Sequence, residues 1–398
     1  MFLFKKSELS TILSDHFFLF LALGLLIVGS LGFEDKILLY GIPWTWFAIL
    51  SGWFFIFAFR LLDYKKSLLI IKFFTLLVAI IIFVLINYIF FIDGAINYGH
   101  LSHHLSTLFI TSCTVFIIAS KLDLEKFFII TDRFCLIICF ALLIARIITF
   151  DFGREGTFLG LGPLTFIKYI SLGVLVRVLF IKKLSLIPIF LYGFAFFVAN
   201  SRGPTLFLLL SIFGWLIFHS KFSRSFFAIP ALALILFLLS FNTRMNSFIE
   251  EIQVIPSVLD NISIEDSEIY SESISGTIAR AYSLKLSWDM IKEDPIFGIG
   301  PGQWPKITGL ESMKYPHNSV MEIWSEYGLL PVLIFIFVIL SVIREFFKKN
   351  PFSILAIFAF MTTLTSGSIR DLRFLAFLIL MTLFYKYLVE RRTRINEI

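Results

Sequence analysis

A chain of 398 residues that is 58% hydrophobic and only 16% charged, with a mean hydropathy of +0.91, is too apolar for a water-soluble globular domain. Its net charge of +6 does not point to nucleic acid, because the basic residues are spread through the connectors between apolar runs. The composition is that of a polytopic membrane protein, and apolar runs of about 20 residues, without alternating ten-residue strands, make its spanning elements α-helices.

The N-terminal stretch MFLFKKSELSTILSDHFFLF has a basic start and then an apolar run, but no A-x-A cleavage site, so it reads as a retained first helix. Hydropathy places twelve spans, at 16–33, 37–59, 67–92, 105–119, 127–149, 158–180, 184–200, 204–219, 226–241, 318–343, 351–366 and 372–389. Lys and Arg concentrate in alternate connectors: KK (5–6), RLLDYKK (60–66), KLDLEK (121–126), RVLFIKK (177–183), HSKFSRS (219–225), REFFKK (344–349) and the tail (386–394). The opposite set is poor in them, so the positive-inside rule puts both termini in the cytoplasm. One long connector, 242–316, is left on the outer side. The chain thus divides into an N-terminal bundle (1–200), two further helices (201–241), the external loop (242–316) and C-terminal helices (317–398). Cys113, Cys135 and Cys139 fall inside apolar runs and read as core thiols. His100, His103 and His104 in HLSHH share a helix face, but no HExxH pattern or carboxylate pair supports a zinc site.

In the external loop, LDNISIEDSEIYSESISG is acidic and serine-rich and reads as a solvated flexible segment. GTIARAYSLKLSWDMIKEDP (276–295) follows, with Ile278, Ala281, Leu284, Trp288 and Ile291 at helical spacing and Arg280 and Lys285 off that stripe. This pattern predicts an amphipathic helix near the membrane surface, ended by Pro295. In FGIGPGQWP, Gly298, Gly300 and Gly302 with two prolines specify a tight irregular turn whose backbone N–H groups can approach a ligand closely. The turn matches neither a Walker loop nor a dinucleotide fingerprint. PHNSVMEIWSEYGLLP (316–331) then opens a helix in which Ser319 and Glu322 have the spacing of a capping box, with His317 and Asn318 at its mouth. A histidine there titrates near neutral pH beside a helix end that favours anions. It is a candidate base, the alternative being an interfacial histidine with a capping role.

Four cations are not explained by topology: Arg146 and Arg154 flank the outer end of the fifth span, Lys168 lies inside the sixth, and Arg202 begins the eighth. Intramembrane charge is costly enough to make function the default reading, with snorkelling and structural ion pairs as the alternative. All four fall toward the outer side, as do Arg280 and His317. Guanidinium and ammonium groups gathered there suit a di-anionic group such as a departing diphosphate. Arg133 fits this picture less well and is expected to pair with Asp132 or to snorkel.

Taken together, NSRG (200–203), AR (279–280), DPIFGIGPG (294–302) and PHNSVMEIWSEYGLLP (316–331) resemble the O-antigen ligase and polymerase family of bacterial inner membranes, over roughly residues 195 to 345. The resemblance implies a metal-independent, inverting glycosyltransferase of GT-C architecture that takes a glycan from undecaprenyl diphosphate on the periplasmic side. It implies that Arg202 and Arg280 hold the diphosphate and that His317 deprotonates the acceptor hydroxyl. Asn318, Glu322, Gly298, Gly300 and Gly302 then support the site. Lys168, Arg146 and Arg154 join the diphosphate-binding set on topology alone. No cofactor is implied, because the energy for transfer resides in the diphosphate linkage.

The first expectation is a polysaccharide ligase in the inner membrane, with the undecaprenyl diphosphate-linked glycan as donor, lipid A-core as acceptor and the site facing the periplasm. A polymerase that extends the glycan on its carrier uses the same donor chemistry. A transporter or flippase would show internal repeats and a midplane polar path, and a non-catalytic sensor would leave His317 and the cations without a role.

Overall fold

The computed structural model describes residues 38–39, 42–43, 124–149, 163–181, 186–199, 202–219, 276–308, 315–366, 375–383 and 385. The predicted spans at 16–33, 67–92, 105–119 and 226–241, the acidic segment, Cys113, the HLSHH histidines and Arg154 lie outside the described residues. At the start of the predicted span 37–59 the chain pairs as two short strands instead of turning into helix. These are β1 (Leu38–Leu39) and β2 (Ile42–Pro43), antiparallel, with Leu38 opposite Pro43 and Leu39 opposite Ile42. Pro43 biases Ile42 toward extended backbone, which apolar content alone does not register.

Every other regular element among the described residues is a helix. In the first group, α1 (Leu124–Thr149), α2 (Pro163–Phe180), α3 (Leu186–Ala199) and α4 (Arg202–His219) match four predicted spans. From the external loop come α5 (Gly276–Glu293) and the short α6 (Trp304–Thr308). The C-terminal part contributes α7 (Ser319–Tyr327), α8 (Leu329–Phe347), α9 (Pro351–Ser366) and α10 (375–383). Pro163 and Pro351 open α2 and α9, where a missing N–H costs nothing. α1 over Phe127–Ile144 and α8 over Leu329–Phe347 are long and apolar enough to cross a bilayer, while Gly203–His219 and Pro351–Leu364 are shorter apolar helices. With the composition, they make this a membrane protein.

The predicted span 318–343 is not one helix but two. Gly328 breaks it with φ 80 and ψ -171, a backbone region open essentially to glycine alone. Hydropathy sees one apolar run because the break needs a single residue without a Cβ.

α2 is the hub of the bundle, packing against α1, α3, α4 and α9, with α9 also against α4 and α8. Its Ile167, Ile170, Leu172 and Leu175 are fully buried, together with Tyr192, Phe352 and Phe377. One end of the bundle is an aromatic layer. Phe127 at the start of α1 meets Phe352 at the start of α9 (ring centroids 5.2 Å), and Phe128 stacks on Phe180 at the end of α2 (4.4 Å). Phe180 meets Trp215 (5.5 Å), which meets Phe346 near the end of α8 (5.8 Å), and His219 at the end of α4 lies on Phe346 as well (4.7 Å). Since these ends share one level, the end of α1, the starts of α2, α4 and α8, and the end of α9 share the other.

Nearer the aromatic end, α1, α2 and α3 are joined by buried polar groups. Arg177 Nε donates to Asp132 Oδ1 at 3.0 Å and its Nη2 donates to Asp132 Oδ2, while the Tyr192 hydroxyl lies 3.0 Å from Oδ1. This corrects the expectation for Asp132: its partner is Arg177, 45 residues away, and Arg133 is exposed. Asp132 and Arg133 are neighbours in sequence, but successive residues on a helix point in different directions and do not face each other. Arg177 likewise belongs to the core of α2 and not to a solvated connector. Cys135 and Cys139 are buried free thiols, as expected, with Cys139 Sγ 3.4 Å from the Leu191 carbonyl oxygen.

Candidate functional site

The site is assembled where the external loop meets the starts of α7 and α8. α5 buries Tyr282, Ser283, Leu286, Ser287, Met290 and Ile291. That is a different face from the predicted stripe: Ile278, Ala281 and Leu284 are half-buried and Trp288 is 45% exposed, so only Ile291 belongs to both. The face is chosen by Trp304 of α6, fully buried, which packs with Tyr282, Leu286 and Met290 and donates Nε1–H to Ser287 Oγ at 2.9 Å. Two small hydroxyls let the indole and a neighbouring loop approach closely.

Those serines lead to the candidate base. Ser287 Oγ donates to the Ser283 carbonyl at 2.9 Å. Ser283 Oγ is 2.8 Å from the Arg280 carbonyl and 3.2 Å from the Pro316 carbonyl, its single proton shared between the two acceptors. α5 thereby holds the residue just before His317, one helical turn from Arg280. His317 is half-buried, adopts a left-handed φ of 56, and its ring lies 4.5 Å from that of Tyr315. Non-glycine residues rarely accept such a backbone conformation, and where they do the surroundings must enforce it. Here the Ser283 contact on one side and Asn318 on the other do so.

Asn318 is the N-cap of α7, accepting at Oδ1 from the N–H groups of Val320 (3.0 Å) and Met321 (3.1 Å), and its Nδ2 donates to the Leu364 carbonyl at 3.0 Å. The cap is one residue earlier than the capping box predicts. Ser319, the expected cap, instead donates to Thr363 Oγ1 at 2.9 Å, and Glu322 is buried on α7. An asparagine serves both purposes because it carries an acceptor and a donor, so it closes the helix and ties it to α9. Asn350 repeats the device at α9, accepting from Phe352 N–H at 3.1 Å and donating to the Thr382 carbonyl at 2.8 Å.

The glycine turn has the predicted form, with positive φ at Gly298 (74), Gly300 (98) and Gly302 (70). Its N–H groups, however, close α7: Ile299 N–H donates to the Ser325 carbonyl at 2.7 Å and Gly300 N–H to the Glu326 carbonyl at 3.0 Å. A Cβ on Gly298 would lie 2.7 Å from Gly328 N, and one on Gly328 would lie 2.0 Å from the Ile296 carbonyl oxygen. The two glycines interlock, and turn and helix break form one unit. Gly328→Ala is expected to destabilise the protein by at least about 1–3 kcal/mol from backbone strain alone. Gly214→Ala, at a helical glycine with nothing within 4 Å, should be neutral or stabilising. Equal melting temperatures for the two variants in detergent would show that the interlock contributes nothing.

The predicted cations divide. Arg280 is half-buried on α5 beside the His317 segment, and Lys168 is half-buried in the second turn of α2. Arg202 is the first residue of α4 and Arg146 lies in the last turn of α1. By the aromatic-layer argument, Arg146, Lys168 and Arg202 lie at the end of the bundle where α8 begins and α9 finishes, and Asn318 and Ser319 bind the end of α9. His317 is therefore at that end too. Of these cation-bearing helices, α5 touches the His317 segment directly, through the Ser283 contact with the Pro316 carbonyl. The residues that sequence reasoning missed are Ser283, Ser287 and Trp304. The i,i+4 serines on an amphipathic helix were the visible signal.

Residues 187–337 match the family model described as O-antigen ligase, a segment that runs from α3 into α8 and takes in Arg202, Arg280, the glycine turn and His317. It leaves out Arg146, Arg154 and Lys168. No curated protein matches the chain.

Proposed function

We propose, from the match of residues 187–337 to the family model described as O-antigen ligase, that the chain is a polysaccharide ligase moving a glycan from undecaprenyl diphosphate to a lipid A-core acceptor. In this reading twelve helices in a GT-C arrangement keep both termini in the cytoplasm, and the site opens to the periplasmic face of the inner membrane. The acceptor hydroxyl oxygen attacks the anomeric carbon of the donor with inversion, and its proton passes to His317. The bond from that carbon to the diphosphate oxygen breaks, and undecaprenyl diphosphate leaves. Arg280 and Arg202 hold the diphosphate as its charge develops, with Lys168, Arg146 and Arg154 adding positive potential. No metal and no cofactor takes part.

One observation carries the reading: Ser283 links the Pro316 carbonyl to α5 one turn from Arg280, which sets a histidine and a guanidinium on adjoining elements. A second observation supports side chains as the anion's partners. Backbone donors in both segments that sequence offered for it are engaged inside the protein, Val320 and Met321 of α7 by Asn318, and Ile299 and Gly300 of the glycine turn by Ser325 and Glu326. Cations are then the natural partners of a diphosphate, and guanidinium forks match its oxygens in geometry and charge.

The test is transfer by the purified protein in detergent, without ATP and with chelator, from an undecaprenyl diphosphate-linked glycan to lipid A-core. Glycan on the core is the expected result. Lengthening of the carrier-linked glycan without core modification would replace the ligase by a polymerase, and restoration of activity only on adding a divalent metal would overturn the metal-independent chemistry.

A further inference from the structure

Three exposed apolar side chains among the described residues of the external loop come together in one place. Trp288, on the outward face of α5, is 45% exposed, Ile296 is 59% exposed and Phe297 40%. They form one knuckle, because the Trp324 indole N–H donates to the Pro295 carbonyl at 3.1 Å and the Trp288 and Trp324 rings meet edge to face at 5.9 Å. The knuckle is continuous with α8. Leu329, the first residue of that helix, donates its N–H to the Ile296 carbonyl at 3.1 Å.

α8 is one of the helices long and apolar enough to cross a bilayer. Its Leu330, Leu333, Ile334, Phe337 and Leu340 are exposed, as lipid-facing residues of a spanning helix are. Ile296 and Phe297 thus stand at the level where α8 enters the apolar phase. Beside them are two indoles and an exposed lysine, Lys292, whose Nζ lies 6.0 Å from the Trp288 ring centroid. Tryptophan and lysine at the end of a span are the residues that settle at a headgroup boundary, with rings and stems in the apolar layer and polar tips in water.

We propose that the knuckle of Pro295, Ile296 and Phe297, backed by Trp288 and Trp324, is docked in the interfacial region of the bilayer leaflet that α8 enters at Leu329. The occupant of this surface is lipid. The same backbone that carries the knuckle closes the C-terminal end of α7, so the docking sets the depth of α7 and of His317 at its start against the headgroups. This inference rests on exposure and continuity with α8 and stands apart from the glycan-transfer reading.

It is tested on the full chain in nanodiscs of phosphatidylethanolamine and phosphatidylglycerol, with nitroxide labels at Phe297→Cys or Ile296→Cys in a Cys113→Ala background. The remaining thiols, Cys135 and Cys139, are buried. Accessibility to oxygen and to a water-soluble nickel chelate is compared with a lipid reference, Phe337→Cys on α8, and an aqueous reference, Lys348→Cys after it. Docking predicts oxygen-to-nickel ratios at 296 and 297 several-fold above that at 348 and approaching that at 337. Ratios equal to that at 348 would put the knuckle in water. Shielding from both reagents would mean that protein, such as a second copy of the chain, covers it. Either result overturns the proposal, and matching melting temperatures for labelled and parent proteins show that the fold is kept.

Discussion

Replacing His317 by alanine is expected to lower glycan transfer by about 10²–10⁴-fold, the usual contribution of a positioned general base. The expectation rests on placement. His317 is half-buried at the mouth of α7, with its neighbours fixed on both sides by Ser283 and Asn318 and its ring against Tyr315. Alanine also enters a left-handed backbone conformation, with φ 56, that it does not favour, so it alone cannot separate lost chemistry from a disturbed loop. His317→Asn makes the separation. Asparagine tolerates this conformation better than other residues with a side chain, yet its amide takes no proton near neutral pH. The asparagine variant should therefore melt close to the wild type and transfer as poorly as the alanine variant. Transfer within a few-fold of wild type by a well-folded His317→Asn protein would remove the histidine from the reaction.

The second large effect is expected on stability, at the opposite end of the bundle. Asp132→Ala leaves the Arg177 guanidinium buried without its carboxylate, a change that costs about 3–5 kcal/mol for buried pairs. Tyr192 keeps one acceptor, the Asp132 carbonyl at 3.0 Å, so its contribution is lost only in part. The helices approach closely enough for this cluster because Gly173 has no Cβ; one placed there would lie 2.4 Å from the Tyr192 hydroxyl. Replacing both charges together, Asp132→Leu with Arg177→Met, should recover most of the loss, since apolar groups of similar volume remove the desolvation penalty along with the attraction. The measurement is a double-mutant cycle of thermal unfolding in detergent, closed by the single variants Asp132→Leu and Arg177→Met. Additive single and double changes would mean that the pair is not coupled. Because the cluster uses its hydrogen bonds internally and lies away from His317, the double variant should keep wild-type transfer per folded molecule. A selective loss of transfer would instead give this buried charge a functional role.

Much of the frame was legible in the residues. Pro163 and Pro351 mark helix starts, and Pro295 follows α5 closely. The three glycines of FGIGPGQWP do take positive φ. Each of these is a local matter, settled by one residue's backbone freedom or missing donor. Local signals misled where two solutions existed. Asn318 and Ser319 both suit an N-cap, and the neighbour that needed a hydroxyl, Thr363, was 44 residues away.

By itself, then, the sequence determined that the chain belongs in a membrane, where several helices begin, where the external loop turns and which residue types are available for anion and proton chemistry. Those properties follow from transfer free energy and backbone sterics, which act residue by residue. Only the tertiary structure decided which face α5 buries, that Asp132 belongs to Arg177 and that the glycine turn caps α7. It also decided that Ser283 holds the His317 segment beside Arg280. Those outcomes depend on pairs of groups far apart in the chain, each choosing among partners that hydropathy and spacing cannot rank, because a hydrogen bond or an ion pair is fixed by geometry that exists only after the helices have packed.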